Sequence, residues 1–142
     1  PGQAPQVVQL SAVDPANPYG AALPWPTPSP GSDAGSPRRV PGATVFLVDG
    51  ALTLYLDRGA RRALTFGLAE LPGAGAAAGD DRARGAQAAI AALKPLAARR
   101  RGRYLRIERI DGQTARQSPL AWLFEEQGFS PDLKGLVYEA RV

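Results

Sequence analysis

The chain has 142 residues, 44% of them hydrophobic, which gives it the length and the apolar content for one compact core. It contains no cysteine, methionine or histidine, so disulfides, thiol nucleophiles, imidazole bases and the usual zinc ligands are all excluded, and any chemistry falls to carboxylates and hydroxyls. Seventeen Lys and Arg against thirteen Asp and Glu give a net charge of +4; 15 of the 17 are arginine, and none precedes Arg38.

Arginine's planar donor fork suits phosphate, so this usage points toward nucleic acid, although a GC-rich coding composition produces the same bias. The apolar runs fall well short of the ~20 residues that a membrane span requires, and no basic-then-apolar segment opens the chain. The expectation is a cytoplasmic protein with no membrane partner. Because the chain opens at Pro1 rather than Met, it is also expected to be a piece of something longer.

Residues 1–42 hold ten of the fourteen prolines, and within them only Val7-Val8-Gln9-Leu10 has the pattern of a strand. Tyr19, Leu23 and Trp25 give residues 14–26 something to bury, so this part is expected to pack on the domain surface. Thr27 to Pro37 is low-complexity and linker-like.

From Ala43 the chain turns to strands. Ala43 to Val48 is β-branched and aromatic, Asp49-Gly50 is a two-residue hairpin signal, and Leu52, Leu54 and Leu56 alternate with Thr53, Tyr55 and Asp57. After a second turn at Arg58-Gly59-Ala60-Arg61, a third strand is predicted with Leu64, Phe66 and Leu68 on one face. A Gly/Ala loop follows from Leu71 to Gly79.

Ala83, Ala86, Ile90, Leu93 and Ala97 recur at helical spacing on a helix opening at Asp80-Asp81 and closing at Arg99-Arg100-Arg101, a charge order that complements the helix dipole. Pro95 predicts a kink or break within it. Tyr104 to Ile110 is a predicted strand ending at the Asp111-Gly112 turn. Ser118-Pro119 is a predicted helix start, and Gly128 a stop. Leu136 to Val142 is a last strand. The order predicts an α+β fold: a curved, mostly antiparallel sheet or small β-barrel flanked by two helices, with a long proline-rich N-terminal loop. The division expected is a strand and proline-rich strap over 1–42 and a domain over 43–142.

Asp14-Pro15-Ala16-Asn17-Pro18-Tyr19-Gly20, the proline run after it, Arg39-Val40-Pro41-Gly42, the Val45 to Asp49 strand with its Gly50 turn, Gly128-Phe129 and Gly135-Leu136 stand in an order that resembles the extreme C-terminal region of the large helicase-related proteins, superfamily 2 ATP-dependent DNA helicases. The resemblance runs with gaps from about Ser11 to the end. The insertion over Thr27 to Pro37, and Pro18-Tyr19 where an aliphatic pair is common, depart from the family pattern.

The resemblance implies an ATPase motor and winged-helix domains upstream, with DNA, those domains and a second copy of the chain as partners. ATP and Mg would belong to that motor. No phosphate-binding Gly-Lys-Ser/Thr loop is present here, so no cofactor is expected in this chain. The same resemblance carries an alternative, that the chain forms part of a uracil-type DNA glycosylase centre completed by the winged-helix domains. The element order is also similar to a coenzyme A-dependent acyltransferase, but Ile110-Asp111-Gly112-Gln113 lacks the pyrophosphate-binding turn that such a fold needs.

Two arginine groups are the candidate nucleic-acid contacts: Arg58, Arg61 and Arg62 at a hairpin tip, with Tyr55 as a stacking surface if it shares their face, and Arg99, Arg100, Arg101 and Arg103 at a helix end, extended by Tyr104, Arg106 and Arg109. Charged tips that keep an edge soluble, and cations that complete a helix C-terminus, account for the same residues. Of the carboxylates a glycosylase might use, Asp49 and Asp111 precede glycine in turns and Asp14 precedes proline, all positions where aspartate serves the backbone. Asp57 completes that set, and no catalytic residue is nominated. Tyr19 and Trp25 are read as an interface or as anchors of their own loop.

Overall fold

The computed structural model describes residues 4–26, 36–68, Leu71 and 80–140. The strand that opens the chain, β1 (Val7–Ser11), pairs antiparallel with β2 (Thr44–Val48), which forms a hairpin with β3 (Ala51–Leu56). Asp49 and Gly50 turn that hairpin with φ of 50° and 86°, the left-handed pair that a two-residue loop requires. Next to β3 lies β4 (Arg62–Thr65), and β4 in turn runs parallel to the short β6 (Arg109–Ile110), which is closed by β7 (Gln113–Thr114). These strands make one six-stranded sheet. A second sheet of three strands is built from β5 (Tyr104–Ile107), β9 (Leu136–Glu139) and β8 (Ser130–Pro131). Among the described residues neither sheet closes on itself, so the fold is α+β with a mostly antiparallel sheet, and the small barrel is not formed.

The predicted strand from Tyr104 to Ile110 is divided between the two sheets at Glu108. The backbone N–H groups of Glu108 and Arg109 both donate to the Arg61 carbonyl, at 2.7 and 3.2 Å, which pulls the chain out of the register of β5 and into that of β6. The alternation slips at this point, from Leu105 and Ile107 to Ile110, because Glu108 and Arg109 are two successive polar residues.

Helices cover one face of the larger sheet. In α1 (Asp81–Ala91) and α2 (Leu93–Arg99), Ala83, Ala86, Ile90, Leu93 and Ala97 are buried, as their spacing predicts. The interruption falls at Ala92, three residues ahead of Pro95. This leaves Pro95 in the first turn of α2, where a backbone N–H has no intrahelical acceptor and its loss is tolerated. A third helix, α3 (Ala121–Glu126), packs on α1, so three α-helices replace the expected two. It begins later than Ser118-Pro119 predicts: the Ser118 hydroxyl accepts from the Leu120 N–H at 3.0 Å and caps a turn that precedes the helix. Gly128, at φ 98°, ends it. None of the described helices is long and apolar enough to cross a membrane.

Both faces of the hairpin are buried, which explains why Ala43 to Val48 reads as a continuous apolar run. Phe46, Val48, Leu54, Leu56 and Ala63 face the helices, together with Ile90, Leu93, Leu105, Ile107 and Phe124. Val45, Leu47, Tyr55, Leu64 and Phe66 lie in a second cluster beneath residues 12–25 and Val40. Two expectations are corrected here. The pairing of β2 with β3 shifts at Phe46/Leu47, and the extra residue, Thr53, puts Leu52 into the second cluster while Leu54 stays in the first. Leu68 does not share a face with Leu64 and Phe66, because β4 ends at Thr65 and Gly67, at φ 76°, turns the chain toward the helical side.

Candidate nucleic-acid interface

The Asp14 to Trp25 segment folds by satisfying its own backbone. Asn17, 1% exposed, donates from Nδ2 to the Ala12 carbonyl at 2.8 Å and accepts from the Tyr19 N–H at 3.1 Å. Arg39 then binds three of the strap's carbonyls: Nη1 donates to Asn17 and Tyr19 at 2.8 and 3.0 Å, and Nη2 to Asp14 at 3.1 Å. Trp25 stacks on Tyr19 with centroids 6.4 Å apart and meets Tyr55 edge-on at 5.7 Å. Gly20 lies so close under Trp25 that a Cβ there would be 2.6 Å from the indole nitrogen. In this arrangement Tyr19 and Trp25 hold their own loop to the sheet.

Tyr55 is not a stacking surface. It is 4% exposed, and its hydroxyl donates to the Arg38 carbonyl and accepts from the Arg38 N–H, both at 3.0 Å. Burial pushes the phenol above its ordinary value, with the hydrogen bond from Arg38 opposing, so the proton is retained.

The hairpin-tip arginines separate. Arg58 and Arg62 border a recess with Ser36, Arg38, Val40, Tyr55, Asp57 and Leu64, whereas Arg61 borders a different groove. Adjacent residues point to opposite sides of a strand end, which divides Arg61 from Arg62. Asp57 fixes the turn by accepting from the N–H groups of Arg61 and Arg62 at 3.0 and 3.1 Å.

The groove that takes Arg61 has a volume of about 520 Å³ and lies at the seam where the chain passes from one sheet to the other at Glu108. Arg61 comes from the β3–β4 turn, Arg100 and Arg101 from the turn after α2, Tyr104 and Arg106 from β5, and Lys134 from the β8–β9 turn. Five cations from four parts of the chain therefore converge beside Tyr104, which is 41% exposed. Glu108 is the counter-charge, 3.8 Å from Arg61 Nε. Arg106 is held by Asp132 at 2.8 Å and lies 5.3 Å from the centre of the Tyr104 ring, so its position is set by the protein.

Arg99 and Arg103 are exposed near this groove without bordering it, and Arg103 Nη1 donates to the Ala98 carbonyl at 3.1 Å, completing the helix end. Arg109 is exposed and donates to the Gly112 carbonyl at 3.2 Å. Lys134 is the groove residue without a signal in the sequence. Nothing local marks it, since antiparallel pairing of β5 with β9 brings it to Arg106 from a distant part of the chain.

The four aspartates considered for base excision each accept from backbone N–H groups. Asp14 accepts from the Ala16 N–H at 2.8 Å, Asp49 from Gln6 at 3.0 Å, and Asp57 as described. Asp111 is buried and accepts from the Thr65 N–H at 2.7 Å and the Thr65 hydroxyl at 2.6 Å.

No family model matches the chain. It is 58% identical over 60 residues to a protein of Mycolicibacterium smegmatis named Lhr helicase/probable uracil glycosylase. The match covers 42% of this chain and 4% of the relative, so the chain spans a small fraction of that protein's length. The similarity bears out the resemblance to large helicase-related proteins and is consistent with a C-terminal domain of an Lhr-type helicase.

Proposed function

We propose that this chain is an accessory C-terminal module of an Lhr-type DNA helicase, without motor activity of its own, and that it contacts the sugar-phosphate backbone of DNA through the groove at the sheet seam. The observation that carries this reading is the convergence of Arg61, Arg100, Arg101, Arg106 and Lys134 around one groove with an exposed aromatic ring at its wall. Guanidinium and ammonium groups neutralise phosphates and release counterions, and an aromatic face accepts a base of any identity. The groove lies at a seam between sheets, and its lining among the described residues comes from turns and strand β5, with the Tyr104 ring to take an unpaired base, which favours a single strand over a duplex.

The glycosylase reading is no better supported. It draws on the relative's name, while Asp14, Asp49, Asp57 and Asp111 are engaged with backbone groups or Thr65.

The test is fluorescence anisotropy with a labelled single-stranded oligonucleotide. Replacing Arg61, Arg100 and Arg101 together by Ala is expected to weaken binding by at least about tenfold at moderate salt, and replacing Arg58 and Arg62 is expected to change it little. Equal losses in both variants would move the contact away from the groove. Unchanged binding in the groove variant would leave assembly with the helicase's other domains, or with a second copy, as the role of the module.

A further inference from the structure

Leu133 is 93% exposed, more than any other large hydrophobic among the described residues, and it stands at the tip of the β8–β9 hairpin immediately before Lys134 of the groove. Its setting is rigid. Asp132 Oδ1 accepts from the N–H groups of Lys134 and Gly135, both at 2.8 Å, Oδ2 accepts from Arg106 Nε at 2.8 Å, and the Asp132 N–H donates to the Gly135 carbonyl at 2.8 Å. Gly135 is pressed so closely on β5 that a Cβ there would fall 2.1 Å from the Ile107 carbonyl oxygen. An apolar side chain kept wholly in water on a tip that these hydrogen bonds hold in place is not a loose loop residue. The same Asp132 carboxylate fixes both this tip and Arg106 on the groove wall.

On the basis of the DNA-binding reading above, we infer that Leu133 is a base-contacting wedge: while Lys134 and the groove arginines take the phosphates of a single strand, Leu133 packs against the nucleobases of that strand and separates neighbouring bases. Cations beside a fixed apolar point match a polyanion that also carries apolar faces, which is the chemistry of single-stranded nucleic acid. The charge around the tip disfavours a purely apolar partner surface, because such a partner would desolvate Lys134 without supplying an opposite charge.

The experiment compares the wild-type chain and Leu133→Ala on two oligonucleotides of equal length and equal phosphate number, one of thymidines and one abasic throughout. Wild type is expected to bind the base-bearing strand more tightly. Leu133→Ala is expected to lose about fivefold of that preference with its affinity for the abasic strand unchanged, since only the apolar side chain is removed. Because the side chain is exposed, the variant is expected to keep the wild-type circular dichroism spectrum and melting temperature. A preference equal to wild type, or a loss of the same size on both strands, overturns the wedge and leaves the groove reading standing. Absence of salt-dependent binding in wild type overturns both. Self-association in sedimentation velocity that Leu133→Ala abolishes overturns the wedge in favour of a contact between copies.

Discussion

Asp132 shows how one side chain can couple a tip to a groove. Hydrogen bonds from the Lys134 N–H, then from Arg106, hold its carboxyl below the ordinary carboxylate value against a smaller opposing cost of desolvation. A depressed value in the folded state means that the stabilisation is complete above the unfolded value and is lost as pH falls through the folded one. The Lys134 and Gly135 amide resonances are therefore expected to hold their positions from neutral pH down through the range where a free aspartate takes up its proton, and to move only at lower pH. An NMR titration in which they move at or above the ordinary aspartate midpoint would contradict the arrangement. Arg106 shifts in the complementary direction, upward, chiefly through its hydrogen bond to Asp132, so the pair remains charged across the physiological range.

At the scale of elements, α1 has a defined start. The Asp80 side chain accepts from the Arg82 N–H at 2.8 Å, and the hydrogen bonds from Arg82 hold its carboxyl below the ordinary value. Asp80→Ala is expected to lower the midpoint of urea unfolding, as the loss of an N-cap does. No change would mean that packing alone places the helix.

The opening of α1 at Asp80-Asp81, the Asp49-Gly50 hairpin and the buried stripe of α1 and α2 are all legible in the sequence, because each depends on residues within a few positions of one another. What sequence does not supply depends on distant partners. The switch of sheet at Glu108 is imposed by the Arg61 carbonyl, and the bulge at Thr53 by the register of β2 against β3. The groove follows the same rule. Arg61, Arg100 and Arg101 are visible as charges, but their grouping with each other and with Lys134, and the separation of Arg61 from Arg58 and Arg62, follow from tertiary pairing. Tyr55 escapes a sequence reading because alternation gives a face and not its covering, and the covering here is Trp25 and Arg38, from the chain before β2.

On the scale of the whole molecule, the strap and the groove divide the work. Residues 12–25 lie over the outer face of the hairpin with Asn17, Tyr19, Trp25 and Arg39 engaged in holding that cover in place. The segment that contributes to the family resemblance is thus architectural. A group of positive side chains meets at the seam of the two sheets, where Arg61, Arg100, Arg101 and Lys134 border the groove, and where Arg106 is already paired with Asp132. The salt dependence of single-stranded DNA binding tests this most directly. Replacing Arg61, Arg100, Arg101 and Lys134 together is predicted to lower the magnitude of the slope of log K against log salt by about 2 to 3, as expected from ~0.7 for each phosphate of a single strand that the chain ceases to neutralise. A slope equal to that of the wild-type chain would show that the groove takes no phosphates and would contradict the account.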